Sequence, residues 1–163
     1  MSRMMKAVVL HSPGGPEVLV VEQRPVPAPN AGQVLIRVEA FGLNRSELFT
    51  RQGHSPGVLF SRILGIEAVG TVAESPGEEF RIGQTVATVM GGLGRKFDGG
   101  YAEYTVVPAA QVRAIDTSLT IWPDGSRRLL ARAHPHGAWV EWFPRTFEGS
   151  AAGENQSREL PGL

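Results

Sequence analysis

A chain of 163 residues holds one ordinary domain, or one small domain with a tail, and excludes a large two-domain enzyme. Sixteen Lys and Arg against sixteen Asp and Glu give a formal net charge of +0, so no global field draws the chain to nucleic acid or anionic lipid. The absence of cysteine removes disulfides, thiolate zinc sites and a cysteine nucleophile together.

The apolar run from Ala7 is too short for a signal-peptide core, and no stretch approaches the length of a membrane span. The default expectation is a cytoplasmic protein with neither nucleic acid nor membrane as partner. Twenty glycines and twelve prolines punctuate apolar residues that recur mostly at period two, which favours short strands over long helices.

In chain order, Lys6 to Leu10 and Val18 to Glu22 read as the arms of a hairpin around the turn Ser12 to Pro16. Arg24 to Pro29 carries proline at every second position, cannot donate ladder hydrogen bonds there, and is expected to lie extended on the surface. From Gln33 the alternation is clear: Val34, Ile36 and Val38 face one way, and Leu35, Arg37 and Glu39 the other, so one face is buried and two charges stay wet. Asn44 stands as an N-cap, Glu47 at the capping-box offset and Gly53 at the C-terminal side, which predicts a short helix over Arg45 to Gln52.

Gly65 to Ala73, Phe80 to Met90 with a turn at Gly83, and Tyr101 to Val107 read as further strands. Gly91-Gly92-Leu93-Gly94 invites a phosphate-loop reading, but a dinucleotide fingerprint opens a helix after a strand, and Arg95-Lys96-Phe97-Asp98-Gly99 reads as a loop instead. His11, His54, His134 and His136 show no metal-site spacing.

The text changes character after about Leu119. All three tryptophans fall there, lysine disappears, and the residues from Gly149 are small, polar and proline-bearing, so a poorly ordered tail is expected over 120–163.

Met5-Lys6-Ala7-Val8-Val9, Gly14-Gly15-Pro16-Glu17-Val18-Leu19, the proline-spaced segment, Gly42-Leu43-Asn44-Arg45-Ser46-Glu47-Leu48, Leu64-Gly65-Ile66-Glu67 and Gly99-Gly100-Tyr101-Ala102-Glu103-Tyr104, in that order, closely resemble the N-terminal GroES-like domain of medium-chain dehydrogenases and reductases. The resemblance covers residues 4–119 and implies a mainly β, partly open barrel with one or two short helices. Zinc-dependent alcohol dehydrogenases of that superfamily carry Cys at the position of Asn44 and Gly-His-Glu at Gly65-Ile66-Glu67. The chain therefore looks like the zinc-free branch, whose known members are NADPH-dependent quinone oxidoreductases.

That resemblance implies hydride transfer to a quinone or enone, with NADPH serving the full-length enzyme and no metal. It places Asn44 at the nicotinamide end of the cleft, Phe49 as an aromatic wall, Arg45 near a cofactor phosphate and Ser46 where the zinc enzymes keep a proton-relaying hydroxyl. Beside these stand plainer readings. Asn44 is equally a helix cap whose amide stays free, Phe49 is favoured as core, Arg45 as an exposed arginine, and Glu67 as a satisfied strand carboxylate.

Family members continue into a Rossmann domain that binds most of the dinucleotide, and residues 120–163 show no βαβ pattern or glycine fingerprint. The expectation is a truncated substrate-side domain, inactive alone, with no tightly bound cofactor. Two origins fit. Fourteen Arg against two Lys suggests a GC-rich gene whose frame shifts near Thr120. Alternatively the chain is a natural stand-alone domain whose tail, alternating around Ala138 to Trp142, adds a strand or hairpin. A non-catalytic interaction module is the competing function, a co-chaperonin-like role rests on fold analogy alone, and homo-oligomer formation stays open.

Overall fold

The computed structural model describes residues 2–115. The expectations about a poorly ordered tail and an Ala138 to Trp142 hairpin lie outside the described residues.

Strand β1 (Met4–Leu10) pairs antiparallel with β2 (Leu19–Pro25) from Met4 opposite Pro25 to Leu10 opposite Leu19, forming the expected hairpin. β2 runs further than the sequence reading allowed. Pro25 occupies the last ladder position of an edge strand, where its missing N–H is tolerated, and Val26 continues the pairing by donating its N–H to Arg3 C=O at 2.8 Å. A short β4 (Arg62–Ile63) completes this sheet in the order β2-β1-β4.

The second sheet contains β3 (Gln33–Ala40), β5 (Glu67–Glu74), β6 (Thr85–Val89), β7 (Tyr104–Pro108) and β8 (Val112–Ala114). These pair antiparallel in the order β7-β3-β5-β6-β8 and curl into a partly open barrel, the architecture expected. β3 departs from the simple alternating picture. Val34, Leu35 and Ile36 are all fully buried, because Leu35 belongs to a core shared with Met5, Val9 and Leu64 while Val34 and Ile36 enter a second core with Val72, Val86 and Val107. A strand between two cores wets neither face, and only Arg37 in its middle is exposed.

The helix α1 (Arg45–Arg51) follows β3 almost where predicted, with Gln52 as C-cap and Gly53 beyond it at φ +83°.

The two sheets are tied by Tyr101 to Glu103. Tyr101 C=O accepts from Val8 N–H at 2.8 Å, and Glu103 N–H donates to Lys6 C=O at 3.1 Å while its own C=O accepts from Val38 N–H at 2.9 Å. Immediately before this tie, Gly99 and Gly100 cross directly over Leu64 to Glu67. Gly99 N–H donates to Ile63 C=O at 2.8 Å, Gly100 N–H to Gly65 C=O at 3.1 Å and Tyr101 N–H to Leu64 C=O at 2.9 Å. A Cβ on Gly99 would meet the carbonyl oxygens of Leu64 and Gly65 at under 3.0 Å, both of them immobile backbone.

This crossing generates a test. Gly99→Ala is expected to cost about 1–3 kcal/mol, read as a lower urea midpoint. Gly32→Asn, where nothing lies within 4 Å of the new Cβ, is expected to cost less than about 1 kcal/mol because Asn tolerates left-handed backbone. Equal midpoints for the two variants would show that the crossing does not constrain the fold.

Candidate functional site

Asn44 caps α1, and the helix places Glu47 one turn on, beneath the start of β5. Glu47 is 5% exposed. Its Oε2 accepts the Asn44 backbone N–H at 3.0 Å, the return arm of the predicted capping box, and its Oε1 accepts the Ile66 N–H at 2.9 Å. The capping residue therefore also fastens the helix to the segment leading into β5.

Asn44 Nδ2 donates to Glu67 Oε1 at 3.0 Å and, more weakly, to Glu47 Oε1 at 3.4 Å. The amide is thus not free, contrary to the cap reading. It stands between two carboxylates, where its partial positive N–H groups separate like charges. Gly42 makes room for this arrangement, since a Cβ there would meet Glu67 Oε1 at under 3.0 Å. Glu67 has the satisfied partner that the strand-carboxylate reading anticipated.

Burial pushes the Glu47 carboxyl above its usual 4.5, and the Ile66 and Asn44 hydrogen bonds pull the other way without cancelling it. The buried Tyr101 hydroxyl is pushed up from its usual 10.0, first by burial and then by the charges of Glu47 and Glu67.

Ile66 connects this cluster to a cleft of about 420 Å³. Its N–H is held by Glu47, its C=O accepts from Met90 N–H at 2.7 Å, and it lines the cleft floor. Ser46 from α1, Pro56 to Val58, Met90 to Leu93, Arg95 and Lys96 complete the cleft lining. Of the residues proposed from sequence, Ser46 alone lines this cleft directly. Asn44 sits behind it, half-buried.

Phe49 is 41% exposed, so the core reading is wrong. The seven-residue α1 buries only Glu47 and Thr50, leaving Phe49 on the outer side, with the Arg45 guanidinium over its ring at 5.3 Å. Arg45 is exposed, as its plainer reading held. His11 pairs with Glu22 across the hairpin, a contact that spacing alone did not reveal. Sequence reasoning also missed Arg95 and Lys96, whose only signal was adjacency to a glycine run that had been rejected as a phosphate loop. That rejection agrees with the turns that follow Gly91 in place of a helix.

The raised Glu47 value has a definite sign. The folded chain keeps this proton to higher pH than the unfolded chain, so the group's favourable contribution is full below the unfolded value near 4.5 and is lost as pH rises through the folded value. Glu47→Gln cannot ionise. The thermal midpoint of wild type minus that of Glu47→Gln is therefore expected to fall between about pH 4 and pH 7, measured by circular dichroism, and a difference that rises over this range would contradict the burial argument.

Residues 30–117 match the family model described as the alcohol dehydrogenase GroES-like domain. Quinone oxidoreductase from Sus scrofa is 35% identical over 109 residues, covering 64% of this chain and 31% of that protein. The crystal structure of AibC superposes with a TM-score of 0.68 at 30% identity, covering 74% of this chain and 40% of the other. A cobalt- and zinc-bound thermostable alcohol dehydrogenase from Pyrobaculum aerophilum gives a TM-score of 0.65 at 30% identity, covering 73% and 44%. The chain spans about a third of the length of the porcine relative. With the barrel, the glycine crossing and the helix-borne cluster on one chain, it belongs to the alcohol dehydrogenase GroES-like domain family, among the quinone oxidoreductases and alcohol dehydrogenase-like proteins of the medium-chain dehydrogenases and reductases.

Proposed function

We propose that residues 4–119 form the substrate-side domain of a zinc-independent, NAD(P)H-dependent oxidoreductase that reduces quinones or enones. The observation that carries this reading is the Asn44 amide donating to Glu67 and Glu47. By resemblance, zinc-dependent relatives hold a thiolate at the Asn44 position and an imidazole at the Ile66 position. Here the first position offers N–H donors already engaged by carboxylates, and the second offers no lone pair. This donor set does not fit zinc, which needs about three N, S or O ligands, so no step is derived through a metal.

A reduced nicotinamide, when bound, supplies the hydride. The chain's own part is positional. Pro56, Val58, Ile66 and Met90 give the cleft apolar surface, which supports a conjugated apolar substrate. Ser46 lines the cleft, which supports assigning its hydroxyl as a hydrogen-bond donor to the substrate oxygen as negative charge grows on it. Asn44 reaches a cofactor only through its carbonyl oxygen, since its N–H groups are engaged. Arg45 and Phe49, stacked and exposed on α1, are assigned to the dinucleotide outside the cleft itself.

The full chain, uniformly labelled with ¹⁵N, is to be titrated with NADPH and with cyclohexenone. The amides of Ser46, Ile66, Gly91 and Gly92 are expected to shift with the enone. NADPH is expected to saturate only at roughly millimolar concentration, because the contacts that supply most dinucleotide affinity belong to a Rossmann unit. Ser46→Ala is expected to weaken enone binding about 3- to 10-fold, the size of one hydrogen bond. Enone binding that leaves every cleft amide unmoved would overturn the proposal in favour of a non-catalytic interaction module.

A further inference from the structure

We infer that the substrate taken by this cleft is an anion, an α,β-unsaturated carbonyl compound that carries a carboxylate, with the carboxylate seated against Arg95 and Lys96. This rests on the enone-reductase reading above and narrows it.

The charged residues that line the cleft are Arg95 and Lys96, both cations, in a chain whose formal net charge is +0. The excess is therefore local. Among the described residues, other cations are ion-paired, Arg62 with Asp98 at 3.2 Å, Arg37 with Glu39 at 3.2 Å and Arg24 with Glu22 at 3.7 Å, whereas unpaired ones such as Lys6 and Arg81 do not line the cleft. Neither Arg95 nor Lys96 forms an ion pair with a described residue. The carboxylates of the neighbouring segments are held elsewhere: Glu47 and Glu67 by the Asn44 amide and the Ile66 N–H, and Asp98, two residues from Lys96, by Arg62 and the Ile63 N–H.

Both cations sit on a fixed loop. Gly92 C=O accepts the N–H groups of Arg95 at 3.0 Å and Lys96 at 2.7 Å, Leu93 anchors the turn in the core with no exposure, and Gln111 Nε2 donates to Gly91 C=O at 3.1 Å. The aliphatic stem of Lys96 lies over Gly92, where a Cβ would come within 3.1 Å of its Cδ, and this brings the ammonium to the loop that forms the wall. Ser46 lines the same cleft. The lining thus combines one neutral hydroxyl residue, two cations and apolar surface. A conjugated acid has that pattern: a carbonyl to activate, an apolar carbon chain and a carboxylate. A neutral quinone leaves the two cations without use.

The anion could come from the substrate or from the phosphates of the dinucleotide, and the experiment separates these. 4-Oxopent-2-enoate and its amide, 4-oxopent-2-enamide, share one carbon skeleton and one ketone carbonyl and differ in the charge of the far group. In ¹⁵N-detected titrations of the full chain, both are expected to shift Ser46 and Ile66, with the carboxylate bound roughly 3- to 10-fold more tightly at low salt and the gap closing at about 0.5 M NaCl. In the Arg95→Gln, Lys96→Gln double variant, whose fold is checked by spectral dispersion, the ratio is expected to fall to about 1 while binding of the amide is unchanged. Equal affinities in the wild type would overturn this inference and leave the enone-reductase reading standing. A double variant that weakens NADPH and keeps its preference for the carboxylate would also overturn it, assigning the cations to the dinucleotide. If neither ligand moves a cleft amide, both readings fail.

Discussion

Where Gly99 and Gly100 pass over Leu64 to Glu67, two stretches of backbone approach so closely that side chains have no place on the upper one. Three N–H groups of that upper stretch are spent on carbonyls of the lower at 2.8 to 3.1 Å. The segment beneath carries Ile66 to the floor of the cleft and Glu67 to the Asn44 amide. The segment above continues into the residues that stitch the two sheets together. A displacement of one strand of this crossing therefore moves the core, the cleft and the carboxylate pair at once. Buried backbone polar groups tolerate no partial solution, so this part of the molecule is the least able to drift.

The cluster at the end of α1 shows the opposite economy. A buried carboxylate, a second carboxylate nearby and a desolvated phenol form an unfavourable collection, and the raised Glu47 and Tyr101 values record it. The arrangement holds because each Glu47 oxygen receives a backbone N–H and Asn44 inserts its amide between the acids. One short helix does three things in consequence: it ends with a satisfied cap, it pins the approach to β5, and it presents Ser46 to the cleft.

Much of this was legible in the residues. The hairpin, the capping box and the β3 strand follow from local rules, and the structure reproduces them within about three residues, the end of β2 at Pro25 being the widest miss. The misreadings share a cause. Leu35 was assigned to a wet face because alternation shows that two faces exist but not that a second core covers the other. Phe49 was favoured as core because aromatic residues usually are, whereas a two-turn helix has room to bury little besides Glu47 and Thr50. The Asn44 amide could not be read at all, since its partner Glu67 lies 23 residues away and meets it only through tertiary folding. Arg95 and Lys96 looked like ordinary loop charges because the residues that share the cleft lining with them come from α1 and from Pro56 to Val58, distant in the chain.

β2 is the outermost strand of its sheet, and an unpaired strand edge is a template on which a neighbouring copy can add itself. Glu22 and Arg24 set opposite charges along that margin, and the prolines at 25, 27 and 29 strip donors from the stretch where a docking strand would need them. The alternation of proline that follows the hairpin thereby also guards against fibril-like stacking, independently of whatever chemistry the chain serves.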